Sequence, residues 1–211
     1  MKISILGAGS VGGNLGRVWT QRGHQVVFGV RDPNSDKAQR ALAAAGAAAR
    51  AVPLREAAGW GEVVVIAVPW TAVPDTLAAA GELRGKIVID TTNAIRWDNG
   101  PVKAVNPSAA EKIAGWLPGS HVVKAFNTIG AEHMLQPDFD GEPADMFICG
   151  DDAIARATVA ALARDIGFVP RDAGPLRNAA LLESLGTLWI HMATAGGLGR
   201  NVAFKLLQKG T

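Results

Sequence analysis

Apolar and polar positions along the chain fall into a repeating strand-then-helix rhythm. Lys2 to Leu6 (KISIL) is a β-branched apolar run; the glycine-rich Gly7 to Gly12 interrupts it, and from Asn14 to Gln21 apolar positions resume at helical spacing. Arg22, Gly23 and His24 close that helix, and Gln25 to Val30 (QVVFGV) reads as a second strand. A complete strand–helix–strand unit thus fits within about 30 residues, which implies parallel pairing. An alanine-rich helix is predicted from Ser35 to Ala49, with helix propensity accounting for the bias of Ala41 to Ala51, and a weak short strand near Ala51. Glu62 to Val68 (EVVVIAV) is apolar enough to be buried on both faces, as a central strand is. Lys86 to Asp90, His121 to Phe126, Met146 to Cys149 and Gly167 to Pro170 supply further strands between helical or mixed segments. The alternation predicts an α/β fold with a doubly wound, mostly parallel sheet.

After Gly174 and Pro175 the pattern changes. Leu181, Leu182, Leu185, Leu188, Trp189 and Met192 fall on one helical stripe, and Val202, Leu206 and Leu207 suggest a second short helix. The expected organisation is one main domain over residues 1–175 and a short helical C-terminal extension over 176–211, packed on the domain or on a partner. So many large apolar side chains without an evident opposing layer point to a homodimer face.

Composition narrows the class. A chain of 211 residues can bury one substantial core but is short for two full domains. With 48% hydrophobic and 19% charged residues it reads as globular rather than disordered. The formal net charge is +2 and the Lys and Arg residues are scattered, so neither nucleic acid nor membrane is expected as a partner. Cys149 is the only cysteine, which removes intrachain disulfides and cysteine-built metal clusters. The apolar run before Gly7 is too short for a signal-peptide core, and Val63 to Val68 is far below membrane-spanning length. A cytoplasmic protein without a bound metal, acting on small molecules, is expected.

Gly7-Ala8-Gly9-Ser10-Val11-Gly12 matches G-x-G-x-x-G, and it lies between a predicted strand and a predicted helix, the context that gives the pattern meaning. Gly7 supplies a tight turn, Gly9 lets backbone approach a pyrophosphate, and Gly12 lets helix and strand pack closely. Phosphates then meet the helix N-terminus, where free N–H groups favour negative charge. Enzymes that use NAD place an acid at the tip of the second strand, but here the strand ends Phe28-Gly29-Val30-Arg31. Arg31 suits the 2′-phosphate of NADP, and Lys37 adds a second positive charge. Asp32 is the dissenting residue, read as part of a turn beginning Asp32-Pro33-Asn34.

The chain contains no tyrosine, so the tyrosine proton donors of two large reductase classes are excluded. His24, His121, His133 and His191 show no partner at metal-ligand spacing and read as structural. Fewer than about forty residues follow Gly174, leaving no room for a helical substrate domain of about a hundred. A flat partner stacked on a nicotinamide, exchanging hydride directly, fits such a site.

Several segments carry a resemblance. Besides the glycine motif and Gly29-Val30-Arg31, these are Ala67-Val68-Pro69-Trp70, Lys124-Ala125-Phe126-Asn127-Thr128-Ile129, Cys149-Gly150-Asp151-Asp152, Asp172-Ala173-Gly174-Pro175-Leu176 and Leu182-Glu183-Ser184-Leu185. With the tail Gly197-Leu198-Gly199 leading to Phe204-Lys205-Leu206, the chain resembles the Rossmann-type NADP reductases of the deazaflavin coenzyme F420. It is also similar to the cytoplasmic reductase domain of STEAP metalloreductases. The resemblance implies hydride transfer between NADPH and a deazaflavin or flavin. Carried over, Gly9, Ser10 and Val11 hold the pyrophosphate, Arg31 the 2′-phosphate, and Val68 and Pro69 the cofactor's inner edge; Asn93 and Phe126 to Ile129 line the nicotinamide and acceptor side. Asn127 and Thr128, at a strand's end, are the stronger acceptor candidates, whereas Phe126 and Ile129 also read as core. Thr91-Thr92-Asn93 and Asn127 stand where archaeal deazaflavin reductases carry a proline-rich loop and a histidine. Trp70 and Trp97 read as packing residues or as a stacking surface for the acceptor. Two other functions stay open: NADPH-dependent reduction of a small carbonyl or imine, and a catalytically idle NADPH-binding module that senses redox state.

Overall fold

A computed structural model describes residues 1–209; Gly210 and Thr211, the last two residues of the expected extension, lie outside it. In chain order the elements are β1 (Lys2–Leu6), α1 (Ser10–Gln21), β2 (Gln25–Val30), α2 (Asp36–Ala45), β3 (Ala49–Pro53), α3 (Leu54–Trp60), β4 (Val63–Ile66) and α4 (Val73–Ala80). They continue with β5 (Ile87–Asp90), β6 (Ile95–Trp97), β7 (Pro101–Lys103), α5 (Ala109–Trp116), β8 (His121–Lys124), β9 (Asp138–Phe139), β10 (Glu142–Pro143), β11 (Asp145–Gly150), α6 (Ala153–Ile166), β12 (Val169–Asp172) and α7 (Ala179–Ala193). The main sheet has eight strands in the order β12-β11-β8-β5-β4-β1-β2-β3. From β3 to β8 every pair is parallel, while β11 runs antiparallel to β8 and carries β12 parallel to itself. The fold is a doubly wound, Rossmann-type α/β sheet. Because β1 is flanked by β2 and β4, the chain reverses its winding there, and such a reversal opens a crevice at the strands' carboxyl ends.

The apolar strands alternate between two cores, as a period of two requires. Ile3, Ile5, Val26, Phe28, Val63, Val65, Ile89 and Val123 face the cluster built with α1, α2 and α6. Leu6, Val27, Val64, Ile66, Val88 and Val122 face the cluster built with α3, α4, α5 and α7.

Several boundaries differ from the sequence reading. The first helix begins at Ser10, inside the glycine motif, rather than at Asn14. The alanine-rich helix stops at Ala45, where Gly46 takes φ 85, and Ala49–Pro53 pairs with β2 instead. Alanine fills either conformation, so the free strand edge decides. The expected helix at Val202, Leu206 and Leu207 is not formed. Backbone groups there bond elsewhere: Asp145 N donates to Phe204 O at 3.2 Å and Leu206 N to Asp145 Oδ2 at 2.7 Å, while the Trp189 indole donates to Val202 O at 2.8 Å. Upstream, Arg200 makes a two-pronged ion pair with Glu132 at 2.6 and 2.9 Å, which holds that carboxyl below its usual range. The hairpins β6–β7 and β9–β10 were not anticipated, although Asp98-Asn99-Gly100 and Asp140-Gly141 are turn-forming residues at their tips.

α7 is fixed by a buried ion cluster. The Lys124 ammonium at the end of β8 is fully buried; it lies 2.8 Å from Asp90 Oδ2 and 3.3 Å from Glu183 Oε1, and it donates to Thr92 O at 2.5 Å. Glu183 also accepts the Ala109 and Ala110 amides of the first turn of α5 at 3.0 and 3.2 Å, and Thr92 N bonds the second oxygen of Asp90 at 2.8 Å. One cation and the positive end of a helix thus answer two carboxylates that lack water. Lys124→Met leaves both carboxylates without their cation. It is expected to lower unfolding stability by about 3–5 kcal/mol, and adding Glu183→Gln to give back part of that loss, both read by urea unfolding.

Candidate active site

The turn after β1 places the site. Gly7 takes φ 111, and a Cβ on it would stand 2.5 Å from Ala67 O; a Cβ on Gly12 would collide with Gly7 O. No residue but glycine lets β1, β4 and the start of α1 converge so closely. The first intrahelical bond of α1 runs from Gly13 N to Gly9 O at 2.7 Å, so the Ser10, Val11 and Gly12 amides face outward without a helical acceptor. The Val11 side chain packs against the core, leaving its amide as the group it offers a ligand. Gly29 answers to packing: a Cβ there would come within 2.8 Å of Ala57 and Leu6.

A cavity of about 420 Å³ opens beside this turn. It is lined by Gly7, Ala8, Val68 and Pro69, by Arg31, Asp32, Ser35 and Lys37, by Leu54, by Ala72 just ahead of α4, and by Asp75, Thr76 and Ala79 of α4. Lys37 divides it from a groove of about 330 Å³ that runs over Gly9, Ser10 and Asn14 to Arg40. The Lys37 ammonium stands 3.5 Å from where a Gly9 Cβ would be. Arg31, Lys37 and Arg40 are exposed and make no ion pair or hydrogen bond among the described residues. Asp32 is occupied: its Oδ1 accepts the Asn34 amide at 2.9 Å and its carbonyl accepts the Ser35 hydroxyl at 2.8 Å. Free cations, outward amides and glycine-cleared space fit a ligand with several phosphates.

The residues expected on the nicotinamide and acceptor side lie elsewhere along the sheet's carboxyl edge, outside this cavity. Asn93 Nδ2 donates to Asn127 O at 2.7 Å, and Asn127 Nδ2 donates to Asn93 Oδ1 at 3.1 Å and to Leu182 O at 3.0 Å. Asn127 Oδ1 is buried and has no partner. Gly186 of α7 sits against this pair so closely that a Cβ would stand 2.6 Å from Asn93 Oδ1. Thr128 is buried next in the chain. Of the two readings open for Phe126 and Ile129, burial favours core packing. Both are buried in the core; Phe126, at φ 61, meets Trp19 and Phe168 edge-on at 5.7 and 6.2 Å. The backbone turn after β8 directs Phe126 into the core beside Trp19 of α1 and Phe168.

Trp70 stacks on Trp116 with ring centres 5.7 Å apart, while Trp97 stands 61% exposed on β6. His24 lies 3.1 Å from Asp165, His121 3.6 Å from Asp152, and His133 3.0 Å from the Arg200 carbonyl. Burial pushes the Cys149 thiol up to about 12, so it is not a nucleophile at neutral pH. Among the described residues no group of three or more potential metal-binding side chains gathers, and no helix is long and apolar enough to cross a membrane. The Lys124–Asp90–Glu183 cluster escaped the sequence reading. Its signal was present as a lysine in an apolar strand (HVVK) and a glutamate within an apolar helical stripe.

Comparison with known proteins agrees with this geometry. The family model described as NADP oxidoreductase, coenzyme F420-dependent, matches residues 2–94. A crystal structure of a candidate F420-dependent NADP-reductase from Arthrobacter sp. FB24 superposes with a TM-score of 0.88 at 31% identity, covering 99% of this chain and 100% of that one. Metalloreductase STEAP3 of Rattus norvegicus is 32% identical over 184 residues, 87% of this chain; the chain spans only 36% of that protein's length. A reductive aminase from Aspergillus terreus, solved with NADPH, shares the fold at a TM-score of 0.69 and 20% identity, over 93% of this chain and 62% of its own. A glycine turn beneath uncommitted cations, in a chain matched end to end by one such structure, fixes the assignment: this chain belongs to the coenzyme F420-dependent NADP oxidoreductase family.

Proposed function

We propose that the chain transfers a hydride between NADP(H) and a flat acceptor ring, a deazaflavin or flavin, without a protein acid or base. The observation that carries this reading is the pair Arg31 and Lys37, free of other partners at the mouth of the cavity beside the glycine turn. In it the Ser10, Val11 and Gly12 amides hold the pyrophosphate, Arg31 and Lys37 the 2′-phosphate, and Val68 and Pro69 the inner edge of the cofactor. Bound nicotinamide supplies the hydride chemistry. Asn93, Asn127 and Thr128 position the reacting rings, and the unpaired Asn127 Oδ1 offers an acceptor to a carboxamide N–H. The absence of tyrosine and the engaged state of His24, His121 and His133 favour direct transfer over protonation by a side chain.

The same reading places the protein in the cytoplasm, where a lone buried thiol stays reduced. It also makes the outer face of α7 a homodimer surface, since Leu181 and Leu188 are 66% and 48% exposed there.

Oxidation of NADPH, followed by its nicotinamide absorbance, is expected with deazaflavin or flavin present and not with a keto acid or cyclic imine alone. Turnover of the latter pair only, or tight NADPH binding without transfer to any acceptor, would sink the proposal. Arg31→Glu is expected to weaken NADPH binding by about a hundredfold while NADH binding changes little, by titration of each. Sedimentation at micromolar concentration is expected to give a dimer, with Leu181→Glu and Leu188→Glu together giving monomer.

A further inference from the structure

We propose that α4 reads the adenine base of the dinucleotide, with Asp75 and Thr76 as the residues that set base specificity. This rests on the reading of the cavity as the adenosine end of an NADP(H) site, and it assigns the wall that the phosphate-binding groups leave unexplained.

The cavity is lined by polar groups of opposite character. Arg31 and Lys37 line it with cations, Leu54, Val68 and Ala72 with apolar surface, and α4 contributes the remaining polar side chains beyond the β2–α2 segment. That helix presents Asp75, Thr76 and Ala79, with Ala72 at its N-cap, at the three- and four-residue spacings of one helical face. The two alanines leave room for a planar ring, so the side-chain polar atoms on this wall come from Asp75 and Thr76. Both are uncommitted. Among the described residues the Asp75 carboxylate has no hydrogen-bond or ion-pair partner. Thr76 is buried to 7% exposure, yet its hydroxyl has no partner either. By contrast, Thr20, Thr158 and Thr187 each donate back to the carbonyl four residues earlier in their helices, at 2.8, 2.9 and 2.8 Å. A threonine that forgoes this bond while facing a cavity is placed to serve a ligand.

The chemistry of the pair matches one base. Adenine carries an exocyclic amino donor next to a ring-nitrogen acceptor. A carboxylate only accepts and a hydroxyl can donate, so Asp75 suits the amino group and Thr76 the ring nitrogen. A base with a carbonyl oxygen in place of the amino group would set that oxygen against the carboxylate. The competing role for Asp75 is a negative charge in the first turn of α4, favourable to the helix but blind to the base.

The test is fluorescence titration of the intact protein with NADPH and with its hypoxanthine analogue, in which the amino group is replaced by oxygen. The wild-type protein is expected to bind NADPH about tenfold more tightly than the analogue. Asp75→Asn, whose amide can face either base, is expected to bring the two within about twofold. Thr76→Val is expected to weaken NADPH by about fivefold through loss of one hydrogen bond. Equal binding of both dinucleotides by the wild-type protein overturns this inference while leaving the dinucleotide site intact. So does discrimination that survives Asp75→Asn, as a purely helix-stabilising carboxylate would give. Binding of neither dinucleotide overturns the functional reading and this inference with it. Should Asp75→Asn fail to fold, the wild-type ratio and Thr76→Val decide.

Discussion

A lysine ammonium with no access to water organises the far half of this molecule. Lys124 joins the ends of β5 and β8 through Asp90 and the Thr92 carbonyl, and reaches α7 through Glu183, which in turn receives the first amides of α5. Four elements far apart in sequence are thus bound at one point just beneath the sheet's carboxyl edge. Burying such charges is costly, and the cost is met only while all of them are present together. α7 therefore has one seat on the sheet, and the Asn93–Asn127 pair above Lys124 inherits that fixed position.

The near half depends on contact distance rather than charge. Gly7 and Gly12 bring α1 against β1 and β4 until carbonyl oxygens stand where side chains would otherwise be. This approach turns the first amides of α1 into the crevice where the winding of the sheet reverses. The cations follow from the same geometry. Arg31 leaves the end of β2, one strand from the turn, and Lys37 rises from the start of α2 to hang over Gly9. Backbone amides, a strand-end arginine and a helix-borne lysine converge because three parallel strands end at one level.

Much of this was legible in the residues. β-branched runs mark β1, β2 and β4 because buried parallel strands need them on both faces, and the glycine spacing names its own turn. Long-range pairings were not legible. Nothing local says that Lys124 and Glu183 meet, since a lysine ending a strand is ordinarily solvated. The alanine run misled because alanine states no preference strong enough to resist an open strand edge beside β2. Phe126 and Ile129 read from sequence as either acceptor-side or core, and only the positive φ at Phe126, invisible in the residues, shows its side chain turned into the core. The tail around Leu206 carries helical spacing, yet the Leu206 amide donates to the Asp145 carboxylate and the Phe204 carbonyl accepts the Asp145 amide instead.

The fit of Gly186 against the two asparagines constrains how this scaffold diversifies. No larger residue can enter at that point without lifting α7 from its ionic seat. The β6–β7 hairpin is less constrained, with Trp97 held out in solvent and β7 packed beside α7. The wall formed by α7 is thus fixed by contact and charge together, whereas the hairpin beside it is held mainly by its own two strands.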